Sequence, residues 1–251
     1  MYQLNNFYNN QNMKCIGELG QYQIFEHEKD LSVSPTYAEA AYFAAQMNVR
    51  RRQVLVKLNE SGCTVQAGAM QWMLGNVEMS SGIKGVGNFI GKAVGAAVTK
   101  ESTVKPEYKG NGLLMLEPTF KHLIFIDVEK WGSIVLEDGL FLACDSTLQH
   151  KVVSRSNLSS AVLGGEGLFN LSLSGKGIAV LESPVPQTEL IQFNLQNDVV
   201  KIDGNMAIAW SGSLEFTVEK SGKSLLGSAA SGEGLVNVYR GTGSILMPPT
   251  A

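Results

Sequence analysis

The residues able to do chemistry are few and scattered. Histidine stands only at 27, 122 and 150, with no HxH pair, so the usual imidazole pairing of a barrel metal site is missing. Glu26-His27-Glu28 is one local candidate, since flanking carboxylates favour a protonated ring. Neighbours on a strand point to opposite faces, however, so the run reads as a solvated edge. His122 and His150 read as framework residues. Cys144-Asp145-Ser146 sets a thiol, a carboxylate and a hydroxyl side by side, but no G-x-S-x-G elbow accompanies them. Glu166 and Glu233 are glycine-flanked carboxylates that could act as an acid–base pair only by meeting across a cleft, and otherwise cap turn N–H groups. The GxG pairs lack the continuation of a dinucleotide or phosphate loop and read as chain corners. Trp72, Trp131 and Trp210 are potential stacking platforms. Trp72 and Trp210 lie in apolar runs and read as core or subunit contacts, and Trp131 as the more exposed ring. Arg50, Arg51 and Arg52 form either a local anion patch or, with no interleaved aromatic residues, a solvated guard on an edge strand.

The elements that carry these residues are repeated. Gly110–Glu117 reads GNGLLMLE, Gly175–Glu182 reads GKGIAVLE and Gly241–Met247 reads GTGSILM, with first glycines 65 and then 66 residues apart. The Asp138-Gly139 and Asp203-Gly204 pairs move in step, again 65 apart, and a looser member surrounds Gly68. GGEGLFNLSLSG from Gly164 returns as SGEGLVNVYRG from Ser231. Ordered families shifting together indicate a triplicated unit. Within it, runs such as Ile134–Leu136 enter an Asp-Gly turn and Leu140–Ala143 leave it. Alignment of the units sets Cys144 against Trp210, a thiol against an indole, which marks a packing position. In the EGLFNLSLSG run, Phe169, Leu171 and Leu173 face a core, while Asn170, Ser172 and Ser174 form the polar face. The expected fold is therefore all-β: three internally repeated β units forming a pseudo-barrel, β-prism or short β-solenoid, with a peripheral N-terminal helix.

Residues 1–49 read as a peripheral extension, with Tyr22–Phe25 strand-like. Thr36 and Glu39 have capping-box spacing ahead of a helix over about 37–47. Residues 50–251 form the body, interrupted at 82–98 by GIKGVGNFIGKAVGAAV. On a helical wheel Phe89, Ile90, Ala93, Val94 and Ala97 share one face, with Lys84, Asn88 and Lys92 opposite. This insertion, with its apolar face and nearby Lys, suits packing on the body or a neighbouring subunit, or docking to a partner or membrane surface.

The ordered landmarks Gly68-Ala-Met70, Asp138–Ala143, Gly165–Asn170 with Gly175-Lys-Gly177, and Gly232–Asn237 with Gly241-Thr-Gly243 carry a resemblance. Over about residue 50 to the end, the chain resembles the altered-inheritance-of-mitochondria twenty-four family, whose fold is similar to the tryptophan RNA-binding attenuator protein. The resemblance implies a β-rich body and a tendency to assemble. It brings no catalytic residues, and no tryptophan- or RNA-contact pattern matches positions here. Its eukaryotic namesake looks like a mitochondrial inner-membrane organiser, but no basic amphipathic presequence is present here.

Composition sets the remaining bounds. Twenty basic against 23 acidic residues leave a net charge of -3, which disfavours a broad nucleic-acid footprint. Cys15, Cys63 and Cys144 are an odd, widely spaced set, expected as reduced, buried thiols of a cytoplasmic protein. The function expected is a non-enzymatic scaffold or interaction protein without cofactor or metal. It would form a homo-oligomer, with a trimer preferred, and reach a protein partner or a membrane periphery. Arg50, Arg51, Arg52, Lys84, Phe89, Ile90, Lys92 and Val94 are the candidate interaction surface. The alternatives are a small-ligand or nucleic-acid module using a cleft between units and, last, an enzyme.

Overall fold

The computed structural model describes residues 2–81, 105–154, 169–220 and 235–250. Fifteen strands occupy this described part, in two curled sheets, one a nearly closed barrel and the other a half barrel. β1 (Met13–Leu19) and β2 (Tyr22–His27) precede a 3-10 turn at Pro35–Tyr37 and helix α1 (Ala38–Gln46). Next come β3 (Arg52–Val65), β4 (Met70–Ser80), β5 (Glu107–Leu116), β6 (His122–Asp127), the short helix α2 (Val128–Trp131) and β7 (Ser133–Leu136). β8 (Phe141–Asp145), β9 (Gln149–Ser154), β10 (Phe169–Ser174) and β11 (Ile178–Ser183) follow. β12 (Ile191–Asp203), β13 (Ala209–Ser211), β14 (Glu215–Lys220) and β15 (Leu235–Met247) complete the order.

The eight-stranded sheet runs β1-β2-β3-β8-β11-β6, with β5 also on β3 and β4 on β5. The seven-stranded sheet runs β12-β15-β13-β7-β10-β9, with β14 on β15. β3 is paired on both sides and buries both faces. Val54, Val56, Leu58, Cys63 and Val65 enter the barrel core, while Leu55 joins Phe25, Leu113 and Met115 beneath the N-terminal residues Leu4 and Phe7. Its apolar run VLV needs no polar alternation because no face meets water. A further core takes Ile124, Phe141 and Leu181 from one sheet and Leu136, Leu173 and Leu246 from the other, which joins the two.

Two of the three GxG corners share one construction. Glu60 (φ 52°) bulges from β3 where Gly110 (φ 132°) faces Ser61. Asn197 (φ 53°) bulges from β12 where Gly241 (φ 116°) faces Asp198. The other differs: Gly175 (φ 110°) separates β10 from β11, which lie in different sheets, and Gly132 (φ 69°) separates α2 from β7. Each GxG is thus a corner of the chain, as expected. A side chain at Gly110 would place Cβ 2.1 Å from the Asn76 carbonyl oxygen, so both backbone angle and space demand glycine there.

The glycine turns differ from the expected hairpins. β7 and β8 flank Asp138-Gly139 but lie in different sheets, so the turn carries the chain from one sheet to the other. The strand after each turn instead lies on a later strand: Trp72 faces Met115, Ala143 faces Val180 and Ala209 faces Leu246. Cys144 lies against Ala179 and Trp210 against Ile245, and both are buried.

The N-terminal region departs further from the peripheral extension expected of residues 1–49. β2 pairs with β3, and Tyr22, Ile24 and Phe25 are core residues, because an uncovered β3 edge and face would otherwise meet water. Helix α1 forms within the expected bounds, but the Thr36–Glu39 capping box does not. Tyr37 is the N-cap and makes no side-chain cap bond; Pro35 starts the preceding 3-10 turn, its fixed φ suited to a helical start.

Candidate functional site

Arg50, Arg51 and Arg52 leave α1 and enter β3. Strand alternation turns Arg52 inward, where its side chain is 2% exposed, opposite Glu26 on β2. Glu26 accepts from Arg52 Nη2 at 2.7 Å and Nε at 2.8 Å, and from Arg50 Nη1 at 3.1 Å. Arg52 also donates to the Asn48 carbonyl and side-chain oxygens, and Arg50 Nε to the Ala45 carbonyl, which ties the end of α1 to the barrel. Arg51 pairs with Asp30 at 2.9 Å and lies over the Phe120 ring. Neither the open anion patch nor the solvated guard describes this run. Two of the three cations are spent on one carboxylate, and Arg52 is a buried strut. The sequence showed the arginines but not Glu26, whose partnership depends on β2 lying beside β3. Lys84, Phe89, Ile90, Lys92 and Val94, together with Glu166 and Glu233, lie outside the described residues.

The cysteines divide. Cys63 and Cys144 are buried, and Cys15, expected buried, is exposed on edge strand β1. Burial pushes the Cys63 thiol up to about 12, with the Asp145 charge adding to it. Burial likewise raises Cys144 well above an ordinary thiol. Both stay protonated and poorly nucleophilic at neutral pH. Asp145 accepts from Gln21 Nε2 at 2.7 Å and from the Ile178 N–H at 2.8 Å, so it is a structural acceptor beside the thiol. His27 bonds Gln53 at 2.8 Å, and burial with the nearby Arg52 charge lowers the His122 pKa.

Two buried asparagines went unread in the sequence. Asn170, expected on a polar outer face, is 3% exposed and donates to the Leu136 carbonyl at 2.9 Å. Asn237 donates to the Gly204 carbonyl at 2.8 Å. Each clamps an Asp-Gly turn, and their shared place in GLFN and GLVN was the available signal.

Among the described residues, a cleft and a helix face are open to ligands or partners. Glu18, Phe125, Asp127, Lys130, Trp131, Gln187, Leu190 and Leu246 line a cleft of about 490 Å³ where the two sheets meet. Half-buried Trp131 also packs on the core. Helix α1 is the other surface. It buries no residue; Ala41, Ala44 and Ala45 are its more covered stripe, while Tyr42 and Phe43 are 63% and 60% exposed. Tyr37, Met47 and Val49 extend the exposed apolar set.

With this geometry in place, the profile of the mitochondrial biogenesis AIM24 family matches residues 45–250. The chain belongs to that family. An uncharacterised protein of Streptococcus pyogenes serotype M6 is 30% identical over 189 residues, which span 72% of this chain and 74% of that one. The crystal structure of protein SPYM3_0169 from Streptococcus pyogenes is 25% identical with a TM-score of 0.58, covering 80% of this chain and 88% of the other. The AIM24 match includes the buried arginine, both buried cysteines and all three corners, but begins within α1 and leaves most of that helix outside. Among the described residues, no helix is long and apolar enough to cross a membrane.

Proposed function

We propose that this AIM24-family chain is a non-enzymatic interaction scaffold, a triplicated β body that presents helix α1 to a protein partner. The observation that carries this reading is the position of Tyr42 and Phe43. A surface helix normally turns its large apolar residues to the core. Here Ala41, Ala44 and Ala45 form the half-covered stripe and the aromatic rings are exposed, as at a binding surface rich in aromatic anchors. The arginine–Glu26 cluster fixes the helix end, which lowers the ordering cost of docking. The test places a photo-crosslinking phenylalanine analogue at Tyr42 in the full chain, in its own cells. A discrete crosslinked protein, lost when Phe43→Glu is added, supports the reading. A crosslink pattern unchanged by Phe43→Glu would reject it.

A second reading, small-ligand binding, rests on the cleft beside Trp131. Its apolar floor and its rim of Glu18, Asp127, Lys130 and Gln187 suit a small molecule with one apolar face and polar edges. Native mass spectrometry of the freshly purified chain tests it. A bound molecule lost in Trp131→Ala favours this reading; identical ligand-free masses for both chains remove it.

A further inference from the structure

The chain builds one kind of sheet junction twice. β8 lies on the end of β3, pairing Ala143 with Val65, Cys144 with Thr64 and Asp145 with Cys63. β13 lies on the end of β7, pairing Ala209 with Leu136, Trp210 with Val135 and Ser211 with Ile134. Each time, the strand that leaves one glycine turn covers the free side of the strand entering the previous turn. The third set of the same parts is present but unjoined. Among the described strands β12 pairs only with β15, and β4 only with β5.

The registers state how these parts would meet. Trp72 faces Met115 as Ala143 faces Val180 and Ala209 faces Leu246, which equates Trp72 with those alanines and Met73 with Cys144 and Trp210. The two Asp-Gly pairs are 65 residues apart, which carries Leu136, Val135 and Ile134 onto Lys201, Val200 and Val199. The missing junction is therefore Lys201 with Trp72, Val200 with Met73 and Val199 with Leu74. Its two edges remain exposed: Met73 is 46% and Val199 46% accessible. Val199 N–H donates to the adjacent Asp198 carboxylate at 2.8 Å. Strand addition would exchange that local bond for a backbone ladder.

We propose that a second copy of this chain completes the junction, its β4 edge pairing antiparallel with the β12 edge of the first in this register. Residues directly opposite share a sheet face, so Met73 of the incoming copy would lie beside Val200, at the margin of a cluster in which Trp210 and Tyr239 are buried but Phe193 and Phe216 only partly so. The contact joins unlike surfaces and so repeats head to tail. Two copies close such a ring by pairing reciprocally, and larger rings need more copies. The proposal is independent of the α1 reading.

In a Cys15→Ser background, Met73→Cys and Val200→Cys chains are purified separately, checked for unchanged far-UV circular dichroism, mixed and oxidised. A disulfide-linked dimer that is at least tenfold more abundant in the mixture than in either chain alone is the expected result. Equal crosslinking of a single variant with itself, or no crosslink in the mixture, overturns the proposal. So does an intrachain bond at monomer mass in the double variant, which would mean that the chain closes on itself. Light scattering should give at least twice 27.1 kDa for the native chain and one copy for Met73→Lys. A monomeric native chain overturns the proposal whatever the crosslinks show.

Discussion

Arg52 and Glu26 show how little a charged run reveals about its role before its neighbours are known. With Arg52 at 2% exposure, loss of the carboxylate leaves a guanidinium among carbonyls and no counter-charge. Glu26→Gln should therefore destabilise the fold by about 3 kcal/mol, as breaking buried ion pairs does. Urea unfolding would measure this, and a midpoint within error of the parent would show the pair to be dispensable. The cysteines carry a second residue-scale prediction. Brief alkylation at pH 8, read by peptide mass spectrometry, should modify exposed Cys15 and spare Cys63 and Cys144, whose thiols burial holds protonated. Rapid modification of Cys144 in the folded chain would reopen a nucleophilic role for it.

Among the elements, the corners are the most exacting. At Gly110 an alanine would bear the positive-φ penalty, about 1–2 kcal/mol, and in addition force Cβ onto the Asn76 carbonyl, where a shift of β4 costs about 1–3 kcal/mol more. Gly139 also has positive φ, but no atom lies within 4 Å of its missing Cβ. Gly110→Ala should thus lower the unfolding free energy by clearly more than Gly139→Ala does. Equal losses in denaturant titrations would mean that β4 yields freely at this corner. The asparagine clamps act on the same scale, since Asn170 holds the carbonyl at the end of β7 that enters one Asp-Gly turn and Asn237 the glycine carbonyl of the other.

For the whole molecule, stability should be graded from β3 outward. β3 is paired on both sides and feeds two core clusters, whereas α1 buries nothing. Native-state hydrogen exchange should therefore be slowest for Val54–Leu58 and fastest, within the helices and strands, for α1. Amides of α1 as protected as those of β3 would show the helix face to be covered in solution. This gradient suits a body that stays rigid while it presents a lightly held helix.

The all-β class, the three GxG corners, the packing role of Cys144 and Trp210 and the position of α1 were legible in the sequence. Each rests on local chemistry: apolar alternation, glycine's access to positive φ, and repeated spacing. The capping box failed because Pro35 supplied a different helix start. Other features depend on which distant strands become neighbours. β2 covering β3 made Glu26 the partner of Arg52 and drew Tyr22 into the core. The passage of the chain between sheets at Asp138-Gly139 placed β7 and β8 apart, and the fold of β10 onto β7 turned Asn170 inward. Spacing along the chain reports that a turn exists, but a single residue cannot report what lies across the sheet, because pairing is decided by the burial of both partners at once.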